Sequence, residues 1–272
     1  MIFRWGDRKA GRKSPGVVLL VYPDNPVSTL FLRIFLEKGI RILAVIAEKK
    51  MVRSNWQRFC KKISKDGLKE SVKRIFQILW LRITRQNVRI LAGRNHIPFH
   101  EVDSFNSETC IDLIRNIGHD ILAIASAPIL KSAVFKSARI GCLNAHPGWL
   151  PRYRGIGANA FALAQGHLPG VTLHWVDAGI DTGRIIVRET VPVTRRDSVS
   201  RINDRAVRRG AEMMAEAISD LPDKRVSPFI RYGKHGPVYR AMPYSEVKKV
   251  NRRLRSSAFI NSLTTSGEGN AV

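Results

Sequence analysis

The sequence of 272 residues has few cysteines, few acidic side chains and no long apolar segment. Its three cysteines, Cys60, Cys110 and Cys142, are odd in number and lack the spacing of a disulfide framework or a zinc site. We therefore expect reduced thiols in a cytoplasmic protein, and no metal site. No apolar run approaches the roughly 20 residues that a membrane-spanning helix requires.

The shortage of acids leaves a strongly basic chain. Asp and Glu number 22 against 46 Lys and Arg, which gives a formal net charge of +24. Residues 49–94 carry 14 Lys and Arg with two acids, and residues 224–255 carry 10 with one acid. Such clusters predict a polyanionic partner, which leaves a nucleotide, an RNA and an anionic membrane surface open.

The apolar pattern predicts an α/β fold. A buried-strand run at 17–22 is followed by helical spacing at 27–38 and a second strand at 40–47, and this order predicts a parallel sheet. No G-x-G-x-x-G follows the first strand, so a dinucleotide site is not predicted. We expect a mostly parallel, twisted sheet of the Rossmann type, flanked by helices and carrying a hairpin at 171–191.

The predicted organisation is a catalytic domain at 1–218 and a short, basic C-terminal extension at 219–272. The domain contains a basic helical insertion at 49–94, where apolar residues recur at helical spacing among the cations. Two roles for this insertion stay open: packing on the domain, or binding an anionic acceptor or a membrane surface.

Three polar residues point to chemistry at one cleft. Asn144 and His146 are two apart in an apolar run, so a strand directs both to one face before Pro147 and Gly148 end it. Asp181 lies in a glycine-bracketed loop between two strand-like runs. An amide can stabilise an oxyanion, an imidazole can move a proton and a carboxylate can orient the imidazole.

These residues belong to three fragments that occur in order: NAHP at 144–147, LPRYRG at 150–155 and DAGIDTG at 177–183. Together they resemble the signature of the folate-dependent formyltransferases. That family includes glycinamide ribonucleotide, methionyl-tRNA and amino-sugar formyltransferases and a related formyltetrahydrofolate hydrolase. The resemblance covers 17–47 and 95–218 and leaves the insertion and the extension outside.

The resemblance implies transfer of a formyl group from 10-formyltetrahydrofolate to an amine without a metal. The expected site residues are Asn144, His146 and Asp181 for catalysis, Ala127, Ile129, Leu130 and Asp177 for the formyl donor, and Arg154 and His174 for the acceptor. Arg154 is included because a guanidinium near a cleft suits phosphate or carboxylate recognition.

The expected acceptor is an amino-sugar nucleotide or a comparable small anionic amine, because 219–272 is too short for the separate C-terminal barrel of the methionyl-tRNA enzymes. A methionyl-tRNA formyltransferase, which would have tRNA as partner, is one alternative. A formyltetrahydrofolate hydrolase is another, although no regulatory domain precedes residue 17. The third is an inactive basic module that binds RNA or touches an anionic membrane, against which the intact triad argues. The sequence leaves the oligomeric state open.

Overall fold

The computed structural model describes residues 14–23, 25–49, 72, 76, 87–221 and 234–264. The strands are β1 (Val17–Val21), β2 (Ile42–Glu48), β3 (Phe99–Val102), β4 (Ile121–Ile124), β5 (Gly141–His146), β6 (Arg154–Gly155), β7 (Gly170–Trp175), β8 (Ile185–Thr190) and β9 (Val238–Tyr239). The helices are α1 (Pro26–Glu37), α2 (Val88–Arg94), α3 (Glu108–Ile117), α4 (Ser132–Phe135), α5 (Ala158–Ala164), α6 (Val199–Asp220), α7 (Tyr244–Arg253) and α8 (Ser257–Asn261).

Seven strands form one sheet in the order β3-β2-β1-β4-β5-β7-β8. The first five are parallel, and β7 and β8 add an antiparallel hairpin beside β5. The predicted fold class, a mostly parallel sheet with flanking helices and a hairpin near 171–191, is thereby confirmed. A short second sheet pairs β6 with β9 in parallel.

Helices cover both faces of the large sheet, which is why its strands β1 and β4 are apolar at every position. Val17, Leu19 and Val21 of β1 face one core, and Val18 and Leu20 face the other. The first core is closed by α1, α2 and α6, and the second by α3 and α4. Alternate side chains of a strand point to opposite faces, so a fully buried strand needs apolar residues throughout.

The expected insertion at 49–94 lies largely outside the described residues, and its role stays a prediction. Its last part forms α2, whose Val88 and Ala92 are buried in the first core. The described part of the C-terminal extension packs on the domain through Val250 and Leu254 of its helical region, both buried in the same core. In the described ranges, no helix is both long and apolar enough to cross a membrane.

Candidate active site

The site begins at the end of β5, where the strand carries Asn144 and His146 to the carboxyl edge of the parallel sheet. β7 runs antiparallel to β5 and places His174 opposite Asn144 and Thr172 opposite His146. Open α/β sheets bind ligands beyond the carboxyl ends of their strands. The expected residues Asn144, His146 and His174 therefore lie together, where the antiparallel strand β7 pairs with the last parallel strand, β5.

Asp181 reaches this edge from the loop between β7 and β8. Its Oδ2 lies 3.4 Å from Nδ1 of His146, and its Oδ1 lies 3.7 Å from Nε2 of His174. The backbone of Asp181 has a φ of 51°, a left-handed conformation that few residues other than glycine adopt. Strained backbone of this kind concentrates at functional sites. The structure thus brings all three expected catalytic residues together.

The imidazole of His146 is held from two sides. Its Nε2 lies 2.9 Å from the carbonyl oxygen of Tyr153, and because a carbonyl oxygen only accepts, Nε2 carries the hydrogen of this bond. The second ring nitrogen, Nδ1, is the one that faces the Asp181 carboxylate. A proton gained at Nδ1 would consequently be stabilised by a neighbouring negative charge.

His174 orients the amide of Asn144. Burial lowers the pKa of His174 to about 4, although Asp181 opposes the shift, so the ring is neutral at pH 7. Its Nδ1 donates to the carbonyl oxygen of Trp175 at 2.8 Å, which leaves Nε2 as an acceptor for Nδ2 of Asn144 at 3.2 Å. One amide hydrogen of Asn144 is thereby fixed, which leaves the second amide hydrogen for a further partner.

The loop after β5 supplies backbone partners that the sequence did not single out. The amide nitrogen of Gly155 donates to Oδ2 of Asp181 at 2.8 Å, and the Tyr153 carbonyl contacts His146 as described above. Gly155 has a φ of 84°, and a Cβ there would lie 2.3 Å from the carbonyl oxygen of Tyr239. Only glycine fits, and this is the signal through which LPRYRG could have indicated a close backbone contact.

A cavity of about 550 Å³ is bordered by residues at both ends of the loop that carries Asp181. It is lined by Ser132, Phe135, Lys136, Ala138, Ile140, Gly141, Cys142, Trp175, Val176, Asp177, Ala178 and Arg184. Its size falls within the range of small-molecule sites, and its apolar walls suit a flat ring. The sequence offered no signal for Phe135 and Val176, because apolar residues of a site and of a core look alike in a sequence.

Of the four residues expected at the formyl donor, only Asp177 lines this cavity. Oδ1 of Asp177 accepts from the amide of Gly179 and from the hydroxyl of Thr182. Leu130 is buried in the second core and Ala127 packs against it. Ile129 is 72% exposed and is not among the lining residues.

The two residues expected at the acceptor make contacts within the protein. Arg154 donates from Nε to the carbonyl oxygen of Ile180 at 2.8 Å and from Nη1 to that of Gly236 at 3.0 Å. His174 is 2% exposed and contacts Asn144, as described above. In this structure, both therefore contact the triad or the loop that carries Asp181. Among the described residues, no group of three or more His, Cys, Asp or Glu is arranged to hold a metal ion.

The chain is similar to known proteins in sequence and in fold. Residues 39–218 match the model of a family described as formyl transferase. The methionyl-tRNA formyltransferase of Trichlorobacter lovleyi is 33% identical over 143 residues, which cover 52% of this chain and 45% of the relative. That of Rickettsia felis is 27% identical over 173 residues, 63% of this chain and 56% of the relative. The chain spans about half the length of the curated relatives that it matches.

Solved structures share the fold at low identity. A glycinamide ribonucleotide transformylase from Symbiobacterium toebii has a TM-score of 0.54 and 21% identity, and the match covers 79% of this chain and 92% of that one. A 4-N formyltransferase from Francisella tularensis has a TM-score of 0.54 and 17% identity, over 83% of this chain and 76% of that one.

Proposed function

Since the chain belongs to the formyl transferase family, we propose that it moves the formyl group of 10-formyltetrahydrofolate onto a primary amine. The observation that carries the proposal is the approach of the Asp181 carboxylate to His146, next to an Asn144 amide oriented by His174. An oxyanion donor, a proton carrier and a charge that orients the carrier are what acyl transfer to an amine requires.

In the first part of the proposed reaction, the amine nitrogen attacks the formyl carbon and a carbon–nitrogen bond forms. The carbonyl oxygen gains negative charge, and the second amide hydrogen of Asn144 donates to it. Removing a fixed donor of this kind raises the barrier by about 2.7–4 kcal/mol in related acyl-transfer chemistry. The protein supplies no nucleophile, because the acceptor amine is itself the nucleophile.

In the second part, a proton passes from the attacking amine to the departing nitrogen. Nδ1 of His146 takes up this proton, because Nε2 already donates to Tyr153. The transient imidazolium lies beside Asp181 at 3.4 Å. Return of the proton to the departing nitrogen breaks the old carbon–nitrogen bond, so the products are the formamide and tetrahydrofolate.

The cavity beside the Asp181 loop fits the formyl donor, which supplies the activated formyl group. Phe135, Trp175 and Val176 offer apolar walls for a pterin ring, and Asp177 offers a carboxylate for its amino and ring N–H groups. Lys136 and Arg184 give the lining positive charge, which suits the anionic glutamate tail of a folate.

For the acceptor, we propose an amino-sugar nucleotide or a comparable small anionic amine. Its support is the positive charge around the loop after β5: Arg152 is exposed there, and Lys234 and Arg240 are exposed on the neighbouring C-terminal segment. A second candidate is methionyl-tRNA, because curated relatives of this chain are methionyl-tRNA formyltransferases. Both acceptors are anionic, so charge alone does not separate them.

A transfer assay tests the function and separates these acceptors. The protein is incubated with 10-formyltetrahydrofolate labelled in the formyl carbon and with nucleotide-linked amino sugars, a small aminophosphate or methionyl-tRNA. We expect label in an amine product that needs both the protein and Asp181, with little free formate. Label released only as formate would instead identify a hydrolase, and an intact donor in every reaction would refute the proposal.

A further inference from the structure

The C-terminal segment 234–239 lies against the loop that holds the catalytic residues. Within the small sheet, Gly155 pairs with Tyr239, and the amide nitrogen of Ile156 donates to the carbonyl oxygen of Tyr239 at 2.9 Å. Three residues earlier, the amide nitrogen of Gly236 donates to the carbonyl oxygen of Pro151 at 2.9 Å. The segment is thus joined to both ends of the loop at 151–156.

The side chain of Tyr239 adds an aromatic contact to these backbone bonds. Its ring stacks on Phe161, with centroids 4.3 Å apart, and on Tyr153, with centroids 5.8 Å apart. Nε2 of Gln165 donates to its hydroxyl at 3.2 Å, and Oε1 of the same Gln165 accepts from the Tyr153 hydroxyl at 2.8 Å. Tyr239 therefore fixes Tyr153, whose carbonyl is the partner of His146.

Arg154 makes a second connection from the segment to the catalytic carboxylate. Its guanidinium joins the carbonyl oxygen of Gly236 to that of Ile180, the residue before Asp181. The approach at Gly236 is close, because a Cβ there would lie 2.1 Å from the carbonyl oxygen of Arg152. A larger residue at Gly236 would separate the segment from the loop.

We propose that Tyr239 is a positioning residue of the active site, which holds the 151–156 loop so that Tyr153 and Gly155 fix His146 and Asp181. The proposal rests on the proposed function for its catalytic consequence. The segment begins after residue 218, where the match to the family model ends. A catalytic geometry that is loosened by about 1 Å loses on the order of 100-fold in rate, so a contact at one remove from the triad can control turnover.

The test compares three variants by steady-state kinetics and by amide hydrogen exchange. Tyr239→Ala removes the stack and should lower kcat by about 10- to 100-fold, with the donor KM changed less than about twofold. Tyr239→Phe keeps the ring and should restore most of kcat. Phe259→Ala removes another aromatic of the C-terminal region, one that packs under Arg253 at 4.1 Å, and should leave kcat unchanged.

Hydrogen exchange gives a readout that does not depend on turnover. The Gly155 amide, which donates to Asp181, should exchange faster in Tyr239→Ala and at the wild-type rate in Phe259→Ala. If the wild-type protein transfers no formyl group, the proposed function fails, yet this exchange still tests the positioning. Unchanged exchange at Gly155 together with unchanged kcat in Tyr239→Ala would overturn the proposal.

Two further outcomes are decisive. A loss of activity in Tyr239→Ala that matches only its unfolded fraction, with folded molecules fully active, would also overturn the positioning role. If Tyr239→Ala does not fold, Gly236→Ala takes its place, because its Cβ would clash with the carbonyl oxygen of Arg152 and push the segment from the loop without removing a side chain from the stack. The same fall in kcat and faster Gly155 exchange are expected there, and their absence would contradict the proposal.

Discussion

Asp181→Asn isolates the charge at the centre of the site while preserving its shape. The new amide oxygen can accept from the Gly155 amide as Oδ2 does, and the new amide nitrogen faces Nε2 of His174, which is an acceptor. The variant should therefore fold. What it loses is the negative charge that faces the imidazolium of His146 during proton transfer.

The magnitude follows from the distance between Asp181 and His146. Two unit charges 3.4 Å apart interact by about 5 kcal/mol at an effective dielectric constant of about 20. Part of this energy is screened, because the Asp181 side chain is 14% exposed. We expect the transition state to lose about 3–4 kcal/mol, which lowers kcat by roughly 10²- to 10³-fold at 25 °C.

The assay measures kcat and KM for the formyl donor in Asp181→Asn, with Asp103→Asn as the control. The Asp103 carboxylate is 92% exposed and pairs only with Lys49 in the described residues, so its loss should leave both constants unchanged. The donor KM should rise little in Asp181→Asn, because the donor cavity is lined by other residues. A kcat within threefold of the wild type in a folded Asp181→Asn would refute the role of this charge.

Three other predictions concern Asn144, His119 and the cavity beside the Asp181 loop. Asn144→Ala should lower kcat by roughly 10²- to 10³-fold with an unchanged circular dichroism spectrum, and near-normal turnover would remove Asn144 from the mechanism. Burial lowers the pKa of His119, so the folded state loses stability as pH falls below about 6.5, by at most about 1.4 kcal/mol per pH unit for this group. His119→Leu should flatten the dependence of Tm on pH between pH 7.5 and 5.5. An unchanged slope would show that His119 does not cause this loss of stability. A non-reactive folate analogue should quench the fluorescence of Trp175 on the cavity wall, and quenching that persists in Trp175→Phe would place the ligand elsewhere.

The sequence predicts best those features that depend on residues close together in the chain. Alternation and apolar runs predicted β1, α1 and β2, and the spacing of Asn144 and His146 predicted that they share a strand face. The signature fragments predicted the family, which the match at residues 39–218 confirms. Each of these inferences depends on neighbours within a few positions of one another.

Contacts between distant segments were beyond the sequence. Nothing in LPRYRG shows that Arg154 bonds to two backbone carbonyls, one of them in Gly236, 82 residues away. Burial is likewise hidden in the sequence: His174 was predicted at the acceptor, and the pairing of β5 with β7 places it beside Asn144, where it is buried. Such assignments depend on strand register and on backbone groups, and every residue type carries the same backbone groups.

The most direct test of the central claim is the stoichiometry of one reaction. Tetrahydrofolate is followed by absorbance while the formylated amine is quantified by mass spectrometry, with the acceptor that gives the highest rate. The proposed chemistry predicts one tetrahydrofolate for each formamide in the wild type, and both rates falling together by roughly 10²-fold or more in Asp181→Asn. Tetrahydrofolate that forms without formamide, or formamide at the wild-type rate in Asp181→Asn, would contradict it.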